Sequence, residues 1–491
     1  MKKNSLVRGA SSDAILLMVV KLVTTVLGLA TTRMLSEHLS LYDYGTYSQI
    51  LLVVSVVSSA TILGMMDGIN YFYHAARDAQ EKESSVSAMF TLQCMIGTGA
   101  GCLVMLLSAP LCAYFENPGI HVLLIFAALL PVLQNLISML QVLLISVGKA
   151  SLLALRNFAV SAIRLFIVLL VILFVQNVAV VLLSTLLLDL AQILLFYVIL
   201  RRAGCKVRLG SISRQTIKKI FRYCAPMAVF TIISALNRDI DKYLVALWTD
   251  TQTLAMYSNA SKMLPFDIVI TSFTTVLLPQ ISESVAKAGK NRAAHLYRLF
   301  LEIAYISTIV LCCAALAASP QLMKLLYSNK YLDGLSIFCI YILVDMFRFT
   351  NTTMVLSAAG KTSKLMLFSI SAVVLNISLN VLLFRVCGLP GLALATCITT
   401  LLLGICILFS SARELECGFS RLFDGKFLLL FLAENAALTA LLYLAQQWLE
   451  KMNVHYFLIL VIICGTYGFL MLLLHGKRLL RVLKQVDAHT N

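Results

Sequence analysis

Two polar interruptions of apolar sequence carry the side chains best suited to chemistry. Asn237-Arg238-Asp239-Ile240-Asp241-Lys242 follows an apolar run that starts at Tyr223, and apolar sequence resumes to Trp248. After a short polar turn at 249–253, a second arm runs through Lys262 and Asp267 to Pro279. Each arm is about membrane length. Charges inside such a span are expensive unless they face a water-filled cavity or one another. On a helix, Arg238 and Lys242 share a face at i,i+4, and Asp241 lies three residues from Arg238. Pairing within the helix lowers the cost but does not account for four charges in one turn and a half. Lysine and arginine in a low-dielectric cavity attract an anion, a diphosphate above all, far more strongly than in water. A carboxylate at the same depth can carry a coupling proton or sodium ion.

Further ionisable residues lie in apolar runs. The candidate substrate-binding cations are Lys21, Arg164, Arg238, Lys242, Lys262 and Arg348, and the candidate ion-coupling acids are Asp239, Asp241, Asp267 and Asp345. Asp189 and Glu434 are also deep, the latter in a peripheral pair of helices. At about 1.5 Å per residue, Arg238 sits roughly 20 Å from the inner end of its helix, Lys262 about 10 Å below the outer end of its own, and Lys21 about 12 Å above an inner end. Cations spread through the bilayer in this way suit a pathway. The competing readings are a salt-bridge cluster that only fixes packing, a local Asp345–Arg348 pair three residues apart, and a Lys21 that snorkels to the inner surface. Pro226, Pro265 and Pro279 free backbone carbonyls in the same two arms and permit bending.

Other chemistries are excluded by what is missing. No G-x-x-x-x-G-K-[ST] motif occurs, so there is no P-loop ATP hydrolysis. The 13 cysteines are scattered through apolar runs with no C-x-x-C, and the seven histidines lie mostly at span ends. They read as core and interface residues, and the expectation is no enzyme, no metal and no cofactor, with a proton or sodium gradient as the coupling source. A net charge of +16 would suggest nucleic acid in a soluble protein. In this chain its location gives it another meaning.

The elements that must position these residues are transmembrane helices. The chain has 491 residues, 60% hydrophobic and 13% charged, a composition foreign to soluble domains. Fourteen spans are expected, near 13–33, 44–66, 85–111, 119–146, 151–175, 178–200, 223–247, 254–281, 296–318, 334–359, 363–384, 390–410, 427–447 and 454–474. The first is read as a retained helix, not a signal peptide. Most of the 39 basic residues fall on one set of helix ends, including Lys149 and Arg156, the run from Arg201 to Arg222, Lys287 and Lys290, and Lys477 to Lys484. By the positive-inside rule those ends and both termini are cytoplasmic. The stretch 201–222 carries eight basic residues and no acid, and 217–223 can form an amphipathic helix on the anionic inner leaflet. It divides the chain into an N-terminal lobe 1–200, the connector 201–222, a C-terminal lobe 223–410 and a terminal pair with a basic tail, 411–491.

An internal repeat supports that division. Tyr47-Ser48-Gln49 recurs as Tyr257-Ser258-Asn259, and Gly148-Lys149-Ala150-Ser151 recurs as Gly360-Lys361-Thr362-Ser363. Both offsets correspond to six spans, so the two six-helix lobes would be related by a pseudo-two-fold along the membrane normal. The fold class is therefore an all-α polytopic membrane protein.

With Tyr257-Ser258-Asn259-Ala260-Ser261-Lys262 and Leu278-Pro279-Gln280-Ile281-Ser282 following the Asn237 to Lys242 motif, essentially the whole chain resembles the polysaccharide-type flippases of the MOP superfamily. It is most similar to Wzx-type exporters of lipid-linked oligosaccharides, with lipid II flippases and MATE exporters as relatives of like architecture. The resemblance implies alternating access and a substrate oligosaccharide on undecaprenyl pyrophosphate, flipped from the inner to the outer leaflet of the bacterial cytoplasmic membrane. It also implies that Lys21, Arg238, Lys242 and Lys262 line the cavity. Expected partners are the lipid-linked glycan and the glycosyltransferases and polymerase of its pathway, with no nucleic acid and a monomeric chain. The alternatives are a lipid II flippase, a small-molecule exporter, whose cationic cargo would want acids where this chain has bases, and a non-transporting scaffold of an envelope-synthesis complex.

Overall fold

Backbone in hydrocarbon must satisfy its own hydrogen bonds, and this chain does so with helices throughout. The computed structural model describes residues 3–76, 78–202, 204–205, 207–210, 214–286 and 289–490, and every regular element among them is helical. Lys2, Arg77, Lys206 and Lys287 of the expected inner set lie outside the described residues, as do the side chains of Lys3, Arg8, Arg214, Pro226 and Pro279.

The chain forms two compact units, Met1–Met256 and Tyr257–Asn491. The first contains α1 (Lys3–His38), α2 (Leu41–Thr61), α3 (Met65–Ala75), α4 (Ala79–Leu106), α5 (Ser108–Tyr114), α6 (Ile120–Ala127), α7 (Leu130–Ser146), α8 (Ala150–Phe174), α9 (Val178–Arg202) and α10 (Arg214–Trp248), and α11 (Thr251–Ala260) begins in it. The second contains α12 (Ile268–Ala286), α13 (Lys290–Ala317), α14 (Ser319–Tyr327), α15 (Leu335–Phe347), α16 (Met354–Ala358), α17 (Thr362–Cys387), α18 (Leu389–Glu414), α19 (Phe419–Leu422), α20 (Gly425–Lys451) and α21 (Tyr456–Thr490).

Among the described residues, ten helices are long and apolar enough to cross a membrane. The four other expected spans are those that carry Lys21, Arg238 with Lys242, Lys262 with Asp267, and Asp345 with Arg348. They correspond to α1, α10, the α11–α12 segment and the α15–α16 segment. Two of the four, the α11–α12 and α15–α16 segments, are interrupted, whereas α1 and α10 are continuous helices of 36 and 35 residues.

The first unit closes around a core where Met65, Ile69, Met89, Met139, Leu143, Phe196 and Cys224 are almost wholly buried. These residues come from α3, α4, α7, α9 and α10. The 35-residue α10 packs along α2, α3 and α4. The segment 217–223, expected as a separate interfacial helix, is the beginning of α10. By contacts the chain divides into its two units after Met256, beyond this helix. In the second unit α13 is central: 72% of its most apolar window is buried, against 17% for α17 and for α20. Tyr297, Phe300 and Tyr305 fill its surroundings.

The glycine-lysine repeat has one geometry in both units. Gly148 (φ 77°) ends α7 and Gly360 (φ 68°) ends α16. The Lys149 amide donates to the Leu144 carbonyl at 3.0 Å, and the Lys361 amide to the Leu356 carbonyl at 2.8 Å. Both are 6→1 Schellman closures, which need a left-handed residue and so favour glycine.

Candidate functional site

The charged spans of the second unit are both broken where their charges lie. Expected span eight ends α11 at Ala260, runs without regular structure through Lys262 and Leu264, makes a 3₁₀ turn at Pro265–Asp267 and resumes as α12. Expected span ten breaks after Phe347 into a 3₁₀ turn, Arg348–Asn351, before the short α16. Proline at position 265 cannot donate a backbone hydrogen bond, which favours the first break. By contrast, α10 and α12 run as continuous helices past Pro226 and Pro279.

The two breaks are stitched together. Asp345 Oδ2 accepts the backbone N–H of Leu264 at 2.8 Å, while Arg348 reaches Asp345 Oδ1 at 3.4 Å and Asp267 Oδ2 at 3.8 Å. The expected local Asp345–Arg348 pair is present, and Asp267 joins it. Asp345 is buried, whereas Arg348 and Asp267 are each about one-third exposed at the side chain, at 35% and 34%. Irregular backbone inside a membrane protein is tolerated where it is buried in protein or lines a cavity. Here the Asp345 carboxylate gives the Leu264 N–H the acceptor that a helical carbonyl would have been, and Arg348 offsets its charge. The 3₁₀ turn at Arg348 lies hard against α18: a Cβ at Gly404 would overlap Thr350, and Asn351 donates to the Thr400 carbonyl at 3.3 Å. Lys262 is exposed at the first break.

In the first unit, Asp239 is the hub of the Asn237 to Lys242 motif. Its carboxylate takes Lys242 Nζ at 2.7 Å and Arg238 Nε at 3.4 Å. The i,i+3 pairing expected between Arg238 and Asp241 is replaced by pairing through Asp239. Asp241 is turned inward, 1% exposed, and accepts the Lys242 backbone N–H at 2.9 Å. The Arg238 side chain remains 58% exposed against 20% for Lys242. Arg238 is thus the most exposed charged side chain of the motif.

A second charged cluster joins α8 to α9. Arg164 pairs with Asp189 at 3.5 Å, and Gln192 donates to Asp189 at 2.9 Å. Arg156, expected on the cytoplasmic helix end, is instead buried: its guanidinium donates to Gln192 Oε1 and lies 4.8 Å from the Phe196 ring centroid. Two turns into α8, the side chain finds its partners on α9 and not in water. Gln192 and Arg156 were both missed as site residues. A glutamine three residues after an aspartate, on one face of an apolar run, was the available signal. Lys21 is exposed on α1, which packs along α8.

The terminal pair is clamped to α13 by its own charges. Arg478 on α21 pairs with Glu302 at 2.6 Å and Asp424 at 3.0 Å, and its guanidinium carbon lies 3.4 Å from the Phe427 ring centroid. His475 meets Glu434 at 2.8 Å. Glu434 is therefore engaged in joining α20 to α21.

Comparison with known proteins places this arrangement. Over 216 residues the chain is 23% identical to the probable lipid II flippase MurJ of Rhizobium meliloti (strain 1021), a match covering 42% of this chain and 40% of that protein. Over 222 residues it is 22% identical to the corresponding protein of Rhizobium tropici, covering 43% and 42%. The chain thus spans about two-fifths of the length of these curated relatives. Among solved structures it superposes on the lipid II flippase MurJ in an inward closed conformation with a TM-score of 0.73, at 15% identity over 93% of this chain and 99% of that one. An inward-facing multidrug resistance MATE family transporter of the MOP superfamily gives 0.67, at 15% identity over 82% and 98%. These likenesses show a shared fold. The sequence profile of the family described as polysaccharide biosynthesis protein matches residues 32–336, well over half of the chain. This multi-pass membrane protein, with the MOP-superfamily fold, belongs to the polysaccharide biosynthesis protein family.

Proposed function

We propose that this protein flips a lipid-linked oligosaccharide, carried on a polyprenyl pyrophosphate, from the inner to the outer leaflet of the bacterial cytoplasmic membrane. The observation that carries the reading is Arg238. It is an arginine deep in an expected span, more than half exposed, and the carboxylate it meets among the described residues, Asp239, is shared with Lys242. A permanent cation held open at that depth suits a diphosphate, and a purely structural charge would be enclosed by its partners. Lys21 and Lys262 are likewise exposed, and Arg164 and Arg348 are partly so. Only the polar headgroup must cross, because the lipid tail stays in hydrocarbon.

Asp239, Asp267 and Asp345 each face a cation, so protonation of any of them would release an arginine or lysine. That is the chemistry by which a proton or sodium gradient would be coupled to release of an anionic substrate. The cytoplasmic placement of both termini and of the basic connector belongs to the same reading.

The curated relatives name a second substrate, lipid II. Two genetic backgrounds separate the readings. Deleting the gene should abolish a surface polysaccharide, and expressing it in cells depleted of their lipid II flippase should not restore growth. Rescue of those cells would favour lipid II. Normal surface glycan after deletion, without rescue, would leave neither substrate standing.

A further inference from the structure

Outside the charged breaks, the first unit has a groove of about 680 Å³ between α3 and the first turns of α10. Lys218, Lys219 and Arg222 of α10 line it together with an aromatic wall made of Tyr71 and Phe72 from α3 and Tyr223 from α10. The Tyr71 and Tyr223 rings stack at 4.3 Å with 16° between planes, and Phe72 meets Tyr223 edge-on at 5.6 Å. Phe72 is buried, while Tyr71 is 48% exposed. The aromatic wall is therefore fixed by packing and yet accessible.

The cations are not equivalent. Lys219 pairs with Glu81 at 3.4 Å and sits 5.6 Å from the Phe72 ring centroid. Lys218 and Arg222 share a helix face at i,i+4 and are exposed, and neither has a carboxylate within ion-pair distance among the described residues. Glu81 is already taken by Lys219, and Asp67 lies one turn before Tyr71 on α3. The groove also lies on the connector side of expected spans two and seven, where the basic loops cluster.

We propose that this groove binds the phosphate of an anionic lipid in the cytoplasmic leaflet. Lys218 and Arg222 hold the phosphate oxygens, the Arg222 guanidinium offering the planar fork that suits them. The Tyr71–Tyr223 stack forms an amphipathic wall at headgroup level, where aromatic rings with one polar end are at home. Such a site would anchor the basic end of α10 to the leaflet that supplies substrate. The two sources of this chemistry are the polyprenyl phosphate carrier and the bulk anionic phospholipid. The site rests on the inward orientation proposed above but not on transport, so a protein that binds lipid and does not flip it leaves this inference intact.

Native mass spectrometry of the full-length protein in detergent, titrated with polyprenyl phosphate or with phosphatidylglycerol, tests it. Wild type should retain at least one of the two, and Lys218→Gln/Arg222→Gln should lower its occupancy about tenfold by removing two charge-assisted contacts. The charge-conserving Lys218→Arg/Arg222→Lys should keep binding. A control pair on the other exposed basic groove, Lys477→Gln/Arg481→Gln, should bind as wild type. Preference for polyprenyl phosphate would assign the site to the carrier, and preference for phosphatidylglycerol to bulk lipid. Equal retention by wild type and the site variant, or equal loss in the control, would overturn the proposal.

Discussion

The carboxylate of Asp345 accepts the backbone N–H of Leu264 at 2.8 Å, across 81 residues of chain. One side chain on a helix thereby ties down the break in another, and its second oxygen faces Arg348. Asp345→Ala would leave a backbone donor and a guanidinium without this acceptor, at about 1–3 kcal/mol for the donor alone. A lower unfolding midpoint in detergent is expected, with a smaller loss for Asp345→Asn, which keeps an acceptor for Leu264. Identical midpoints for wild type and both variants would remove Asp345 as the link between the breaks.

Arg238 makes a different prediction, because its side chain is mostly exposed and Asp239 keeps Lys242 as a partner. Arg238→Ala should reach the membrane in normal amounts, with stability changed by less than about 1 kcal/mol. Transport should be lost, and Arg238→Lys should be partly active, since charge is kept while the bidentate fork is not. Asp241→Ala should not rescue it, as Asp241 is not the carboxylate that Arg238 meets. Full transport by well-expressed Arg238→Ala would eliminate the residue as a substrate contact.

Gly404 tests the second break. A methyl group there would overlap the Thr350 side chain, including its Cβ, which cannot move without the backbone. Gly404→Ala should cost about 1–3 kcal/mol, as overpacked positions do. Combining it with Thr350→Gly should recover part of the loss in a thermal melt. A neutral Gly404→Ala would show that α18 and the Arg348 turn are not held at this distance.

Topology can be read by labelling a cysteine-free background. Cysteine at position 210, in the basic connector, should react only from the cytoplasm, and cysteine at the exposed Asp250, beyond the other end of α10, only from outside. The 35 residues of α10 span about 50 Å, more than enough to cross. Reaction of both from one side would refute the orientation.

Acid should loosen the terminal pair. The hydrogen bond from Arg478, and then that from the Phe427 amide, hold the Asp424 carboxyl below the usual range. A depressed folded-state value means that the stabilisation is complete above the unfolded value, about 3.9, and is lost as pH falls through the lower folded one. Proteolysis between α19 and α20 should therefore rise only below about pH 4, and Asp424→Asn should remove that acid step. An unchanged acid profile in the variant would show that the clamp depends on Glu302 alone.

Membrane residence and the helical class were legible in the chain, and so was the Gly-Lys motif that recurs in both units. The reason is that hydrocarbon imposes its rules residue by residue: apolar runs must be helices, charges inside them are conspicuous, and a Gly-Lys end repeats with its own closure at Gly148 and Gly360. Partner choice was legible for Asp345 with Arg348 but not for the other charges. Periodicity pointed Arg238 at Asp241, but the fold turns Asp241 inward and leaves Asp239 to hold both cations. Loop counting set Arg156 on a cytoplasmic helix end and gave no sign of the partners, Gln192 and Phe196, that α9 offers it. The breaks at Lys262 and Arg348 were read as continuous spans, because composition does not reveal where a helix stops inside an apolar run. What stops them is a carboxylate 81 residues away that satisfies the released N–H, together with a glycine on α18 that lets the turn approach. Those are long-range contacts, and only the tertiary structure brings their partners together.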